Sequence, residues 1–225
     1  LGYNRPDDIP ITLSTVMQNI IDDKTLDVSQ GIIHHSEGVD LLPSNIELSG
    51  FEVRLINAMS RERVLKTYVN EVKKNYDYVL IDCMPSLGMI TINALAAADS
   101  VIIPTQPHYL SAKGLELLLR SVSMVKRQIN PKLRIDGILM TMVMPRTNIS
   151  KEITATVKSA YGKKIKVFDT EIPHSIRAVE ATAEGKSIFA YDKSGKVAAA
   201  YEQLGKEVAE IGEKQRNQNR ADRIR

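Results

Sequence analysis

The fold class follows from one stretch of sequence, Tyr76-Asp-Tyr-Val-Leu-Ile-Asp-Cys-Met-Pro-Ser86. Its four consecutive apolar residues, from Tyr78 to Ile81, are followed by an acid and, three residues later, by a proline. A short apolar run with such a boundary predicts a strand that is buried on both faces of a parallel sheet, with Asp82 at its carboxyl end. Because open α/β sheets bind ligands at that end, we expect a ligand site beside Asp82.

The Asp82 carboxylate allows two interpretations. A carboxylate at the mouth of a buried strand must be hydrated, paired or close to a cation. In P-loop nucleotide hydrolases an acid in this place, the Walker B acid, holds the Mg²⁺ that bridges the nucleotide phosphates. Alternatively, Asp82 caps the following turn or helix, and the strand pattern alone does not distinguish the two.

The composition is that of an ordinary globular protein, with 225 residues of which 43% are hydrophobic and 25% are charged. This length predicts one domain, which we place at residues 1–212. No apolar run approaches the roughly 20 residues that a membrane helix needs, so we expect a cytoplasmic protein that binds no membrane. The single cysteine excludes an internal disulfide.

The end of the chain differs in charge from the rest. After a last helix predicted at residues 198–211, residues 213–225 contain five basic residues and two acids, a balance of +3 that equals the formal net charge of the whole chain. These residues predict a basic polar tail, most simply a frayed terminus. A nucleic-acid arm is the second interpretation.

Helical and extended patterns alternate along most of the chain. Residues 13–21 and 46–75 predict helices, and residues 100–104 and 133–143 predict strands. Within the region 46–75, Ser60 is expected to cap the second half of the helix. The alternation predicts an α/β fold with a doubly wound, mostly parallel sheet flanked by helices.

Several further segments follow the Asp82 stretch in a recognisable order. They are residues 42–50, 75–82, 86–88, 91–95, 101–106, 137–142, 146–148 and 172–181, followed by Gly185-Lys186. Together they resemble the ParA/Soj partitioning ATPases, which belong to the deviant Walker A (MinD/ParA) class of P-loop NTPases. The resemblance covers nearly the whole chain up to about Gly212, and it favours the Walker B role of Asp82.

The resemblance implies a longer protein. Members of the family begin with a strand, a glycine-rich loop of the form Lys-Gly-Gly-x-Gly-Lys-Thr, a helix and a second strand, none of which is present in this sequence. We therefore expect this N-terminal strand-loop-helix-strand portion to be missing. Because the loop supplies the backbone N–H groups that cradle the phosphates, the 225-residue chain alone is predicted to bind little or no ATP and to be inactive.

The resemblance also implies a site for ATP and Mg²⁺ in the intact protein. Asp82 would be the catalytic acid, and it would hold Mg²⁺ through water. The other cofactor-binding residues that it implies are Ser86, Gly88 and Gln106 near the γ-phosphate and Met142, Ile172 and Pro173 around the adenine. Turn formation accounts equally well for the first three, and a plain core or loop role is the alternative for the others.

A DNA-binding surface is implied at Arg146, Arg177 and Lys186. Arginines at the first two positions give members of the family a sequence-neutral affinity for DNA, through phosphate neutralisation and counterion release. The alternative for Lys186 is a solvated surface charge. Arg177 could instead pair with Glu180 or Glu184 along its helix.

The function implied is that of a ParA-like ATPase in plasmid or chromosome partitioning, cytoplasmic and associated with the nucleoid. Mg·ATP would drive homodimer formation, the dimer would bind double-stranded DNA non-specifically, and a ParB-like centromere-binding partner would stimulate hydrolysis. The alternatives are a shortened, non-catalytic module that binds DNA or a partner, and a MinD-like membrane ATPase, which the tail disfavours because it lacks an apolar face.

Overall fold

The computed structural model of this chain describes residues 6–25, 27–84 and 86–224, with side chains described to residue 218. The strands are β1 (Ile33–His35), β2 (Val39–Leu41), β3 (Ser100–Thr105) and β4 (Arg134–Met140). The helices are α1 (Leu13–Ile21), α2 (Glu47–Leu55), α3 (Val64–Val72), α4 (Met89–Ala97), α5 (Tyr109–Gln128), α6 (Asn148–Tyr161), α7 (Ile176–Ala183), α8 (Ile188–Tyr191) and α9 (Lys196–Ile224).

The chain divides into two compact units. Within the described residues, the first unit comprises residues 6–99 and 118–134, and we call it the helical unit. The second comprises residues 100–117 and 135–224, and we call it the sheet unit. The single domain expected at residues 1–212 stays a prediction.

The helical unit is built around the apolar faces of its first four α-helices. Met17 of α1 and Phe51 and Leu55 of α2 are completely buried, and Tyr68 of α3 and Ala94 of α4 pack in the same cluster. Burying a large apolar side chain contributes about 1.5–3 kcal/mol relative to leaving it exposed. This cluster therefore supports the segment between α3 and α4, which contains Asp82.

The sheet unit contains parallel extended segments, as the sequence predicts. At the end of β3, the N–H of Thr141 donates to the carbonyl of Thr105 at 2.9 Å. At the start of both strands, the N–H of Arg134 donates to the carbonyl of Asp99 at 3.2 Å, and these two residues already belong to the helical unit. The order of the two bonds shows that the paired strands β3 and β4 run in the same direction. On the other side of β4, Ile138 forms a parallel bridge with Val167. The α/β fold class with parallel strands is confirmed.

The prediction of a buried strand at residues 78–82 is wrong. In the described part of the chain, these residues belong neither to the antiparallel pair β1 and β2 nor to the parallel pair β3 and β4. Tyr78, Val79 and Leu80 are 55%, 38% and 92% exposed. A strand needs a hydrogen-bonded neighbour and a cover on both faces. A local run of apolar residues cannot show whether either is provided. Here Ile81 packs against the core of the helical unit, but residues 78–82 join no described sheet and Tyr78 to Leu80 are exposed.

Two helix predictions also need correction. The region 46–75 divides into α2 and α3, and Ser60 lies between them with φ of 51°, a left-handed conformation that an N-cap residue does not adopt. The last helix continues beyond residue 211 to Ile224 instead of fraying. After Gly212 the sequence holds mainly Glu, Lys, Gln and Arg and no proline, so the helix meets no strong breaker.

Within the described ranges, every helix is too short or too polar to cross a membrane.

Candidate functional site

The loop between Tyr76 and Gly88 carries three of the predicted site residues. Asp82 lies in this loop with its side chain exposed. The N–H of Ser86 donates to the carbonyl of Met84 at 2.7 Å, and Gly88 is the N-cap residue of α4. Asp82, Ser86 and Gly88 thus belong to one loop of the helical unit.

Asn93 fixes the helix that follows this loop. It is completely buried in α4, and its Oδ1 accepts a hydrogen bond from the N–H of Leu65 at 3.1 Å. Its Nδ2 donates to the carbonyls of Arg61 at 2.7 Å and Met89 at 3.0 Å. Leu65 is in the first turn of α3, where N–H groups have no partner within the helix, so Asn93 caps α3 from the side.

Glu52 of α2 contacts the start of α4. Its Oε1 accepts a hydrogen bond from the N–H of Ile90 at 3.2 Å. A Cβ atom at Gly88 would lie only 2.2 Å from the same oxygen, so any larger residue at this position would displace the carboxylate. Nothing in its local sequence pattern separates Glu52 from an ordinary surface acid of a helix, so the sequence alone does not predict this contact.

Gln106 and Met142 contact each other in the sheet unit. Gln106 follows β3, and its Nε2 donates to Sδ of Met142 at 3.1 Å. Met142 follows β4, has φ of 52° and is about half exposed. The left-handed backbone is uncommon for a methionine and marks a constrained position at the end of the strand.

Ile172 and Pro173 lie beside the same strand end. The N–H of Ile172 donates to the carbonyl of Met140 at 2.9 Å, and its carbonyl accepts from the N–H of Val143 at 3.0 Å. Pro173 forms a parallel bridge with Val143. Since these bonds enclose Met142, the three residues predicted to pack the adenine come together, with Ile172 buried and Met142 exposed.

Glu207 of α9 is hydrogen-bonded to the residues that precede Ile172. The carboxylate is 8% exposed and accepts hydrogen bonds from the N–H and Oγ1 of Thr170, at 2.9 and 2.5 Å, and from the N–H of Asp169 at 3.3 Å. Lys166 Nζ lies 3.2 Å from Oε2. Burial opposes ionisation of Glu207, but the hydrogen bonds, first those from Thr170, outweigh it and lower its pKa.

The three predicted DNA-binding residues are all exposed in the sheet unit. Arg146 lies in the loop before α6. Arg177 Nη1 is 4.0 Å from Oε2 of Glu180, and Lys186 Nζ is 2.8 Å from Oε2 of Glu184, a contact that raises the pKa of Lys186. Surface ion pairs such as these contribute little to stability. Arg177 and Lys186 can therefore leave their glutamates and contact another anion.

The predicted nucleotide-site residues therefore form two groups, one in each unit. Asp82, Ser86 and Gly88 share the loop before α4, whereas Gln106, Met142, Ile172 and Pro173 share the strand ends of the sheet unit. No three His, Cys, Asp or Glu side chains of the described residues cluster as a protein-only metal site would require. Any cation at Asp82 would thus complete its coordination with water or phosphate oxygens, as Mg²⁺ commonly does.

Comparison with known proteins places the chain in a family. Residues 5–135 match the family described as AAA domain. The sporulation initiation inhibitor protein Soj of Bacillus subtilis is 44% identical over 176 residues, which are 78% of this chain and 69% of that protein. The chromosome partitioning protein ParA of Myxococcus xanthus is 37% identical over 196 residues, 86% of this chain and 68% of that protein. A Mycobacterium tuberculosis relative of unassigned function is 40% identical, and the match spans only 61% of its length.

Solved structures agree with this fold. Cobyrinic acid a,c-diamide synthase from Mycobacterium smegmatis, with bound ATP analog and magnesium, is 32% identical with a TM-score of 0.75 and covers 89% of this chain and 72% of that one. The cell division ATPase MinD of Pyrococcus furiosus is 19% identical with a TM-score of 0.67, covers 91% and 78%, and shows the fold alone. On these sequence and structural relationships together, the chain belongs to the ParA/Soj family of partitioning ATPases, with the P-loop NTPase fold.

Proposed function

We propose that this protein acts in plasmid or chromosome partitioning as a ParA-type ATPase. In this proposal a homodimer that holds Mg·ATP binds double-stranded DNA without sequence preference on the nucleoid. A ParB-like partner then stimulates hydrolysis and releases the dimer. The family relationship supports the ATPase class, and the placement of two arginines supports the DNA-binding step.

The DNA-binding step rests on the positions of Arg146 and Arg177, which follow two segments that are hydrogen-bonded to each other. The N–H of Val143 donates to the carbonyl of Ile172, and the N–H of His174 donates to the carbonyl of Val143, both at 3.0 Å. The two segments therefore run side by side in parallel, with Val143 paired to Pro173, and Arg146 and Arg177 follow three and four residues after this pair. Two exposed cations that leave a sheet at the same end can contact neighbouring phosphates of one DNA backbone.

The family relationship supports the nucleotide step, and the site residues proposed for it are those that the resemblance implies. Asp82 would hold Mg²⁺ through water, Ser86, Gly88 and Gln106 would face the γ-phosphate, and Met142, Ile172 and Pro173 would pack the adenine. When bound, Mg²⁺ neutralises charge on the phosphates. The exposed carboxylate of Asp82 fits this role, since Mg²⁺ is usually held by one or two carboxylates, waters and substrate phosphates.

The exposed Arg146 and Arg177 also support a second candidate function, a non-catalytic module that binds DNA or a partner without ATP, because contacts of arginine with phosphate need no nucleotide. The two candidates predict different nucleotide binding by the protein expressed from its full reading frame.

The test is equilibrium binding of Mg·ATP to this protein, followed by ATP hydrolysis on DNA. The ATPase proposal predicts ATP binding and slow hydrolysis by the protein from the full reading frame. If the protein from the full reading frame binds no ATP but still binds DNA, the non-catalytic module is the correct function.

A further inference from the structure

Glu52 lies where the first turn of α4 needs a capping group. The first N–H groups of a helix have no partner within it and are usually satisfied by the side chain of the N-cap residue. Here the N-cap residue is Gly88, which has no side chain, and the Glu52 carboxylate accepts the hydrogen bond from Ile90 instead. A negative charge at this end of a helix is also favoured by the helix dipole.

The space around Gly88 matches this contact. A Cβ atom at position 88 would meet Oε1, Cδ and Oε2 of Glu52 at 2.2, 3.0 and 3.3 Å. The carboxylate therefore occupies the volume that any larger residue at Gly88 would need. Glu52 itself is half-buried, and its carboxylate contacts the first turn of α4.

The contact also fixes the loop before α4. Glu52 accepts a hydrogen bond from the first turn of α4. In the next turn, Asn93 is hydrogen-bonded to the carbonyl of Arg61 and the N–H of Leu65. With α4 anchored from two sides, the position of Ser86 and Gly88 depends on these two side chains. Asn93 is completely buried, whereas Glu52 is adjacent to the loop itself.

We propose that Glu52 is a positioning residue for nucleotide discrimination, which sets the loop from Ser86 to Gly88 in the place where it distinguishes ATP from ADP. This inference rests on the proposed function, because it assigns the γ-phosphate contact to that loop. Glu52 does not touch the nucleotide in this account. It acts through the backbone of α4, whose N-terminal turn it holds by one hydrogen bond.

The test compares Glu52→Ala, Glu52→Gln and Glu47→Ala in the protein from the full reading frame. Glu47 is an exposed acid in the first turn of the same helix and is the matched control. Dissociation constants for Mg·ATP and Mg·ADP are measured for each variant, together with its thermal unfolding. We expect Glu52→Ala to change the ratio of the two constants by about fivefold, the effect of one lost hydrogen bond. Glu52→Gln keeps the acceptor and should keep the ratio, as should Glu47→Ala.

Gly88→Ala provides a second route if Glu52→Ala does not fold. Its added Cβ pushes the flexible Glu52 carboxylate away and breaks the same contact, so it should change the ratio in the same direction. The double variant should change the ratio no further than Gly88→Ala does alone, because both substitutions remove one interaction. Additive effects would contradict the proposal.

Amide hydrogen exchange separates this inference from the proposed function. In the 225-residue chain, Glu52→Ala should speed exchange of the Ile90 amide, and unchanged exchange would overturn the contact on which the inference rests. If the wild-type protein from the full reading frame binds neither nucleotide, the proposed function fails and the role of Glu52 fails with it. If the wild type discriminates and Glu52→Ala leaves the ratio unchanged, only the role of Glu52 is overturned.

Discussion

The Oδ1 atom of Asn93 accepts a hydrogen bond from the backbone N–H of Leu65 at 3.1 Å, across 28 residues of sequence. The same side chain donates to the carbonyls of Arg61 and Met89. One buried amide therefore joins α3, α4 and the segment before α3. Buried polar groups of this kind are costly to remove, because their partners lose hydrogen bonds that water cannot replace.

Asn93→Ala should lower the free energy of unfolding by about 2–4 kcal/mol, since it leaves the buried N–H of Leu65 without its acceptor and removes two partly buried hydrogen bonds to the carbonyls of Arg61 and Met89. Urea denaturation followed by circular dichroism measures this change. Asn70→Ala is the control, because Asn70 is exposed on α3, and it should change stability by less than about 0.5 kcal/mol. Equal effects of the two substitutions would contradict the network described here.

Gly137→Ala should destabilise the sheet unit. A Cβ atom at Gly137 would lie 2.7 Å from Cε2 of Phe168 and 3.0 Å from the carbonyl oxygen of Lys166, and Phe168 is completely buried. Overpacking of this kind costs about 1–3 kcal/mol. The thermal unfolding midpoint should therefore fall.

Gly114→Ala is the matched control for Gly137→Ala. Gly114 is exposed in α5, with no atom within 4 Å of a Cβ built there. Alanine is favoured over glycine inside a helix by about 0.5–1 kcal/mol, so this variant should be slightly more stable than the wild type. A destabilised Gly114→Ala, or a Gly137→Ala variant as stable as the wild type, would show that the surroundings of these glycines differ from those described.

The carboxylate of Glu207 should make stability depend on pH in the acid range. Its hydrogen bonds with Thr170 and the contact with Lys166 outweigh the effect of burial and lower its pKa in the folded state. A lowered folded-state pKa gives stability that is fully present above the unfolded value, 4.5, and is lost as the pH falls through the folded-state value.

Glu207→Gln should remove this part of the acid dependence. Unfolding midpoints measured from pH 7 down to pH 3 would fall less steeply in the variant than in the wild type. Glu210→Gln, at an exposed position on the same helix, should leave the slope as it is in the wild type. A Glu207→Gln variant with the wild-type pH profile would contradict the lowered pKa.

The stability of a Leu80→Ala variant tests whether residues 78–82 are exposed, as the structure shows, or form the buried strand that the sequence predicts. A buried leucine replaced by alanine loses about 2–5 kcal/mol of stability. Because Leu80 is 92% exposed, Leu80→Ala should instead cost less than about 0.5 kcal/mol. Leu55→Ala, at a completely buried position of α2, should show the full loss in the same chemical denaturation experiment.

The sequence predicts well those elements whose pattern is local. The helix at residues 13–21 is observed with the same bounds, and the strand at residues 100–104 extends by one residue to Thr105. In both, apolar periodicity and the flanking polar residues contain the relevant information. The fold class follows from the alternation of such elements, so it too could be predicted.

The sequence does not predict features that depend on distant neighbours. The run from Tyr78 to Ile81 has the composition of a buried strand, but burial requires a partner that local pattern cannot specify. Asn93 and Glu52 act across 28 and 38 residues, and each looks locally like an ordinary helical residue. A polar side chain within the alanine-rich α4 was the one available signal for Asn93, since buried amides need partners.

The candidate site could be predicted only as a set of residue positions. The resemblance selected Gln106, Met142, Ile172 and Pro173, and the sheet unit brings these four to neighbouring strand ends. Their roles with a nucleotide stay predictions. Glu207, which holds the segment before Ile172, was missed because a glutamate on a surface-type helix usually faces solvent.

DNA binding by the protein from its full reading frame tests the central claim most directly. Binding to two duplexes of unrelated sequence is measured with and without Mg·ATP at several salt concentrations, for the wild type, Arg146→Ala, Arg177→Ala and Lys113→Ala. Lys113 is an exposed lysine of α5 and is the control. We predict binding that requires Mg·ATP, is equal on both duplexes and weakens with salt. Each arginine substitution should weaken it and lower the salt slope by about 1. Three results would contradict this claim: binding that prefers one sequence, binding that does not depend on Mg·ATP, or binding that neither arginine substitution weakens.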